Sequence, residues 1–303
     1  LPAGDAALIR VAAVLLMLVF AIKGALVPLH FWLPGTYAHA PGPVAALFAV
    51  MTKVGAYAVI RVGTLIFPPA TPAMGTLIAD LLGPAAIATL ALGAIGVLGA
   101  VSLQRMVAFA AIASMGTVFI AVAQFTPQAT AAALYYTVHS TFAAAILFLV
   151  ADQVSARRAN DSLQTTLPPM AQSGLLAVLF FTGSIAMAGM PPLSGFVGKL
   201  LILDATRDGQ MLLIWGAILT TSLIIILGFA RAGSLLFWKS HASGAAQTGK
   251  AEPVALAVII ALISGLVALT VFAGPTMRYI AATAAGLHAP TAYVAAHHLG
   301  ATP

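Results

Sequence analysis

Eight stretches of this chain run for about twenty residues with hardly a charged side chain, and that property narrows the fold more than any other. An α-helix rises about 1.5 Å per residue, so about twenty apolar residues cross the ~30 Å hydrocarbon core of a bilayer. The runs fall at about residues 6–31, 44–67, 84–103, 106–124, 129–151, 174–203, 211–238 and 253–273. Composition agrees: the chain is 61% hydrophobic and 7% charged, with a mean hydropathy of +1.06. A soluble domain carries about 25% charged residues. The expected fold is all-α, a polytopic membrane helix bundle over residues 1–273, followed by a less apolar tail at 274–303 that holds His288, His297 and His298.

Charge and cysteine usage exclude several classes. The formal charge of +6 comes from 13 Lys and Arg against 7 Asp and Glu, with no basic cluster beyond Arg157-Arg158, so nucleic acid is not an expected partner. There are no cysteines, which removes disulfides, thiolate metal sites and iron–sulfur ligation. The sequence has no glycine-rich phosphate loop, no paired nucleophile and base, and no metal-ligand spacing, so no cofactor or metal is expected. The chain opens at Leu1 with no signal-peptide pattern and reads as a piece of a longer protein. If the sixth run crosses once, Arg105, Arg157, Arg158, Arg231, Lys239 and Lys250 share one side. Arg10, Arg61, Arg207 and Arg278 share the other, and the excess places the first side in the cytoplasm. The polar stretch 152–171 is expected on that face, as a short amphipathic helix.

Three lysines break the apolar pattern: Lys23, Lys53 and Lys199. A charge near the middle of a membrane helix costs about 2.5–3.5 kcal/mol, so three cost roughly 8–10 kcal/mol, and such residues mark ion or proton paths by default. The plainer alternative for each is snorkelling to the interface. Two prolines at Pro191-Pro192 must break the sixth run, and Pro28 stands five residues beyond Lys23. Broken helices persist at membrane depth only where protein or a water-filled cavity satisfies the freed backbone, a pattern of transporters with internal repeats. His139 lies mid-span beside Tyr136, Ser140 and Thr141, and reads equally as a proton relay or as a hydrogen-bonded packing residue. Asp152 is a helix-end charge or a proton-uptake carboxylate. Asp204 and Arg207 are spaced to pair in solvent. Gly93, Gly96 and Gly99 are expected to let helices approach closely.

Four segments carry a family resemblance: KGALVPLHFWLP (residues 23–34), PGPVAALFAVMTKVGAYAVIRV (41–62), ALYYTVHSTFAAAILFLVAD (133–152) and GSIAMAGMPPLSGFVGKLLIL (183–203). The chain resembles the antiporter-like subunits shared by Mrp multisubunit cation/proton antiporters and respiratory complex I, and is most similar to the C-terminal part of the Mrp D-type subunit. The resemblance implies a fourteen-helix fold with two inverted repeats, of which this chain would begin at the seventh helix. It implies that Lys23, Lys53, His139 and Lys199 form a proton/ion pathway, with the partner of Lys23 a glutamate on the fifth helix, outside this sequence. The implied partners are other subunits of a membrane antiporter complex, protons, monovalent cations and lipid, and the implied location is a bacterial cell (inner) membrane. Two features depart from the family: Gly35-Thr36 follows Pro34 where an aspartate is usual, and Ser102-Leu103-Gln104-Arg105 replaces a more charged sequence. The alternatives are a proton-pumping subunit of complex I or a membrane-bound hydrogenase, and a structural scaffold whose lysines only pair carboxylates across subunits.

Overall fold

The computed structural model describes residues 3–69, 74–158, 161–208, 210–242, 252–289, 293 and 295. Lys250, His297 and His298 lie outside the described residues. Eleven α-helices are described: α1 Ala3–Lys23, α2 Trp32–His39, α3 Gly42–Leu65, α4 Leu77–Gly99, α5 Leu103–Val122, α6 Pro127–Arg158, α7 Ser173–Ala188, α8 Ser194–Asp204, α9 Met211–Gly233, α10 Pro253–Val271 and α11 Ala273–His288. Among the described residues there is no strand, only an isolated bridge between Ser102 and Ser162. Seven helices are long and apolar enough to cross a membrane: α1, α3, α4, α5, α6, α9 (with its continuation to Trp238) and α10. The sixth run is divided between α7 and α8, as the prolines dictate.

Nearly every residue of α5 is buried, and small residues explain why. A Cβ at Gly93 of α4 would sit 2.5 Å from the Ala113 amide nitrogen of α5, and one at Gly116 of α5 would collide with the Leu90 backbone of α4. The two helices therefore run with their backbones in contact, the usual way membrane helices gain van der Waals energy without a hydrophobic drive. Gly96 does the same against the Phe109 ring, but Gly99 has nothing within 4 Å of its added carbon and needs another explanation.

Several expectations are corrected. The first run is not one helix to residue 31. It stops at Lys23, before Pro28, because Ala25 turns into the left-handed region (φ 54°) and the chain folds back. The loose ends are tied: the Trp32 indole donates to Ile22 O at 3.0 Å, and the Val27 amide donates to Thr89 Oγ1 of α4 at 2.9 Å. The third run begins earlier, at Leu77, with Pro84 inside the helix. Among the described residues of 152–171 there is no separate interfacial helix. Instead α6 continues to Arg158, where the buried Arg157 and Arg158 hold the returning loop by bonds to Gln172 Oε1 (3.0 Å) and Leu167 O (3.1 Å). Two guanidinium groups at a helix C-terminus are well placed against its carbonyl pole. The tail is helical through His288, docked on α6 by a 2.9 Å bond between His288 Nε2 and Thr130 Oγ1.

One end of the bundle collects the C-termini of α4, α6 and α9 with the N-termini of α3 and α5. There Arg231 donates to Ala100 O at 2.7 Å, and Asp152 Oδ1 accepts the Gly42 amide at 3.0 Å. That alternation is the one on which the loop charges divide. Asp152 is thus occupied as a cap for α3. At the opposite end Asp204 and Arg207 pair at 3.1 Å, largely exposed, as their spacing implied.

Candidate functional site

The break between α7 and α8 follows directly from residues 189–195. Gly189 takes φ 78°, donating its amide to Ala186 O (3.0 Å) while the Met190 amide donates to Ile185 O (3.0 Å). That is a Schellman closure, which glycine adopts without a Cβ penalty. Pro191 and Pro192 then prevent the helix from resuming until Ser194. Two carbonyls of the last turn of α7, Ala186 O and Ala188 O, also accept bonds from side chains of other helices.

Lys199 of α8 takes one of them. Its ammonium donates to Ala188 O at 2.7 Å and to Ser222 Oγ of α9 at 2.7 Å, and the residue is 7% exposed. The freed carbonyl beside Lys199 is bonded to it directly. Gly189 is what lets the lysine lie there, since a Cβ at that position would fall 2.6 Å from Lys199 Cδ.

His139 of α6 takes another. Its Nε2 is 3.1 Å from Ala186 O and its Nδ1 is 2.9 Å from Ser194 Oγ, so the imidazole bridges the two sides of the break. Its neighbours Ser140 and Thr141 are not its partners; both hydroxyls donate to Thr137 O on their own helix. Gly195 and Gly198 allow α8 to approach: a Cβ at Gly195 would be 2.6 Å from His139 Nε2, and one at Gly198 would be 2.8 Å from Tyr136 Cδ2. Tyr136 stacks obliquely on His139, ring centroids 5.5 Å apart.

Lys53 of α3 completes the buried set. Its ammonium reaches Ser114 Oγ of α5 at 2.9 Å and Met115 Sδ at 3.2 Å, and it is 4% exposed. Lys53 and Lys199 are each close enough to act electrostatically on the imidazole of His139 between them. Among the described residues no carboxylate contacts any of the three. Three basic groups in one core without acid partners cannot all carry charge cheaply, because like charges repel strongly where the dielectric is low.

Lys23 stands apart. It ends α1 with its side chain exposed, while the next residue packs tightly on α3: a Cβ at Gly55 would be 2.8 Å from the Gly24 nitrogen. Pro28 lies in the same break, on the exposed side. The structure therefore brings Lys53, His139 and Lys199 together and leaves Lys23 facing outward from this chain. Sequence reasoning missed Ser114, Met115, Ser194 and Ser222. Hydroxyl residues inside apolar helices mostly bond their own backbone, as Ser114 and Ser222 also do here, so their type alone carries no signal.

Discontinuous helices with ionisable side chains at membrane depth are a pattern found in membrane transporters. Residues 5–225 match the NADH:quinone oxidoreductase/Mrp antiporter transmembrane family. The chain belongs to that family. It is a multi-pass membrane protein. Similar relatives include the D-type subunit of a Na(+)/H(+) antiporter from Bacillus subtilis, 35% identical over 87% of this chain and 54% of that protein. The D-type subunit of a probable K(+)/H(+) antiporter from Rhizobium meliloti is 32% identical over 93% of this chain and 58% of that protein. Among solved structures, a polypeptide of the Mrp complex from Dietzia sp. superposes with a TM-score of 0.82 at 25% identity, covering 94% of this chain and 61% of that one. The chain thus spans a little over half the length of the curated relatives it matches.

Proposed function

We propose that this chain forms part of a proton-conducting membrane subunit in a multisubunit monovalent cation (Na+ or K+)/proton antiporter of a bacterial inner membrane. Other membrane subunits would be its partners. Protons pass along the series Lys23, Lys53, His139 and Lys199. The observation that carries the reading is the buried cluster of Lys53, His139 and Lys199, held by hydroxyl, sulfur and carbonyl acceptors. A structural lysine buried at comparable cost would be expected to hold a carboxylate. Here each amine is held by neutral acceptors alone, so a proton can leave without stranding a buried anion.

Lys23, exposed at the end of α1, is the member available to a group outside this chain. The break at residues 189–193 leaves Ala188 O, the last carbonyl of α7, to accept from Lys199. The test is cation-driven proton exchange in inverted membrane vesicles containing the intact complex, normalised to assembled complex. Lys199→Ala stops exchange, and Lys199→Glu retains part of it, since either ionisable group can carry a proton. Normal exchange with Lys199→Ala would make the lysine a structural strap between α7, α8 and α9.

A further inference from the structure

The hydrogen bonds of His139 fix which way a proton can reach it. A carbonyl oxygen cannot donate, so the 3.1 Å contact with Ala186 O requires a hydrogen on Nε2. In the neutral ring Nδ1 is then the bare nitrogen, and the 2.9 Å contact there must be a hydrogen bond donated by Ser194 Oγ. The Nε2 side is closed. Ala186 O also accepts the Gly189 amide at 3.0 Å, and the backbone at Gly195 lies so near that even a methyl carbon would be 2.6 Å from Nε2 and 2.9 Å from Cε1. The charged and titratable groups around the ring are Lys53 of α3, Lys199 of α8 and Tyr136 of its own helix. None of them bonds Nδ1; Ser194 does, and it is fully buried.

Resting on the proton-path reading above, we propose that Ser194 is the relay through which His139 is charged and discharged. A proton arriving on water as hydronium passes to Ser194 Oγ while the serine's own hydrogen passes to Nδ1. Water, a neutral serine and an imidazolium result, and one positive charge has moved inward. Discharge uses the same nitrogen: Nδ1 gives its proton to Ser194 Oγ while the serine's own hydrogen passes to the next water or base along the path. In the charged state Nδ1–H donates to Ser194 Oγ, so the hydroxyl must turn its hydrogen toward another acceptor. The serine thus reverses polarity with each proton, at the first residue of α8, where it also bridges the two halves of the broken helix.

The experiment is exchange by the intact complex in inverted vesicles, per assembled complex, with an imposed cation gradient. Ser194→Ala should slow exchange on the order of a hundredfold, the low end of what a positioned proton-transfer group supplies. Ser194→Cys, which keeps the shape but bonds weakly, should fall likewise, and Ser194→Thr should recover most of the rate. Ser194→Ala combined with His139→Ala should be no slower than His139→Ala alone, because both remove one step. Wild-type exchange with Ser194→Ala and Ser194→Cys overturns the proposal. Equal losses in the Thr and Ala variants, or losses that multiply in the double variant, also overturn it and leave Ser194 a packing residue. Wild-type exchange with His139→Ala overturns instead the path on which the proposal rests.

Discussion

Gly189 offers a prediction whose size can be worked out from the structure. Replacing it with alanine places a side chain at φ 78°, a backbone conformation that costs an L-residue about 1–2 kcal/mol. The new carbon also falls 2.6 Å from Lys199 Cδ and 2.9 Å from Cε, where ordinary contact begins at 3.4 Å. The lysine must withdraw by a large fraction of an ångström, and its 2.7 Å bonds to Ala188 O and Ser222 Oγ have little room to lengthen. Losing one charge-assisted bond costs about 1.5–3 kcal/mol. Gly189→Ala should therefore destabilise the assembled complex by roughly 2.5–5 kcal/mol, combining the two costs. In a Lys199→Ala background only the backbone part, about 1–2 kcal/mol, should remain. Denaturation of purified complex, carried out as a double-variant cycle, measures the difference. The same cost in both backgrounds would refute the claim that Gly189 is there to seat the lysine.

Ser222→Ala removes one of the two acceptors of Lys199 and should cut exchange about tenfold, equivalent to about 1.4 kcal/mol, with assembly intact; vesicle exchange checks it. Asp152→Asn should transport at the wild-type rate, since an amide oxygen still accepts the Gly42 amide, whereas Asp152→Ala should lose about 1 kcal/mol of stability; a proton-uptake carboxylate would instead fail as Asn. Burial pushes the His288 imidazole below its ordinary value of 6.5. The folded state then binds fewer protons than the unfolded one, so this contribution is present above that value and lost as pH falls below it. The protection factors of α11 amides, with the intrinsic pH dependence of exchange divided out, should therefore fall between about pH 7.5 and about pH 5.5, and His288→Gln should abolish that fall.

The helices are readable because lipid leaves a chain so few choices: apolar length and proline placement locate most of α3 to α10 closely, although α4 starts at Leu77, before its run at about 84, and α6 continues to Arg158, beyond its run to about 151. Pro191-Pro192 marks the break. What the apolar pattern does not show is where a run ends early. Lys23 is flanked by apolar residues, yet the chain turns there: Ala25 takes φ 54° and Gly24 packs against Phe119 and Gly55, a tertiary contact with no local signal. The buried bases are legible for the same reason that they are costly. Their partners are not, since a serine in a membrane helix looks alike whether it bonds its own backbone or also a lysine. The stretch 152–171 departs from its expected helix because Arg157 and Arg158 look like solvated charge and are instead buried against carbonyls that the sequence does not display.

The most direct test is proton flux with Lys53 replaced by alanine. Lys53 lies deep among apolar neighbours and bonds only Ser114 and Met115, so its removal breaks no ion pair with a described residue and leaves no buried anion. Packing should survive, at the cost of a small cavity. Cation-driven proton exchange per assembled complex should be abolished, with the complex present at wild-type amounts. Exchange at the wild-type rate in that complex would contradict the claim that the buried bases carry the proton.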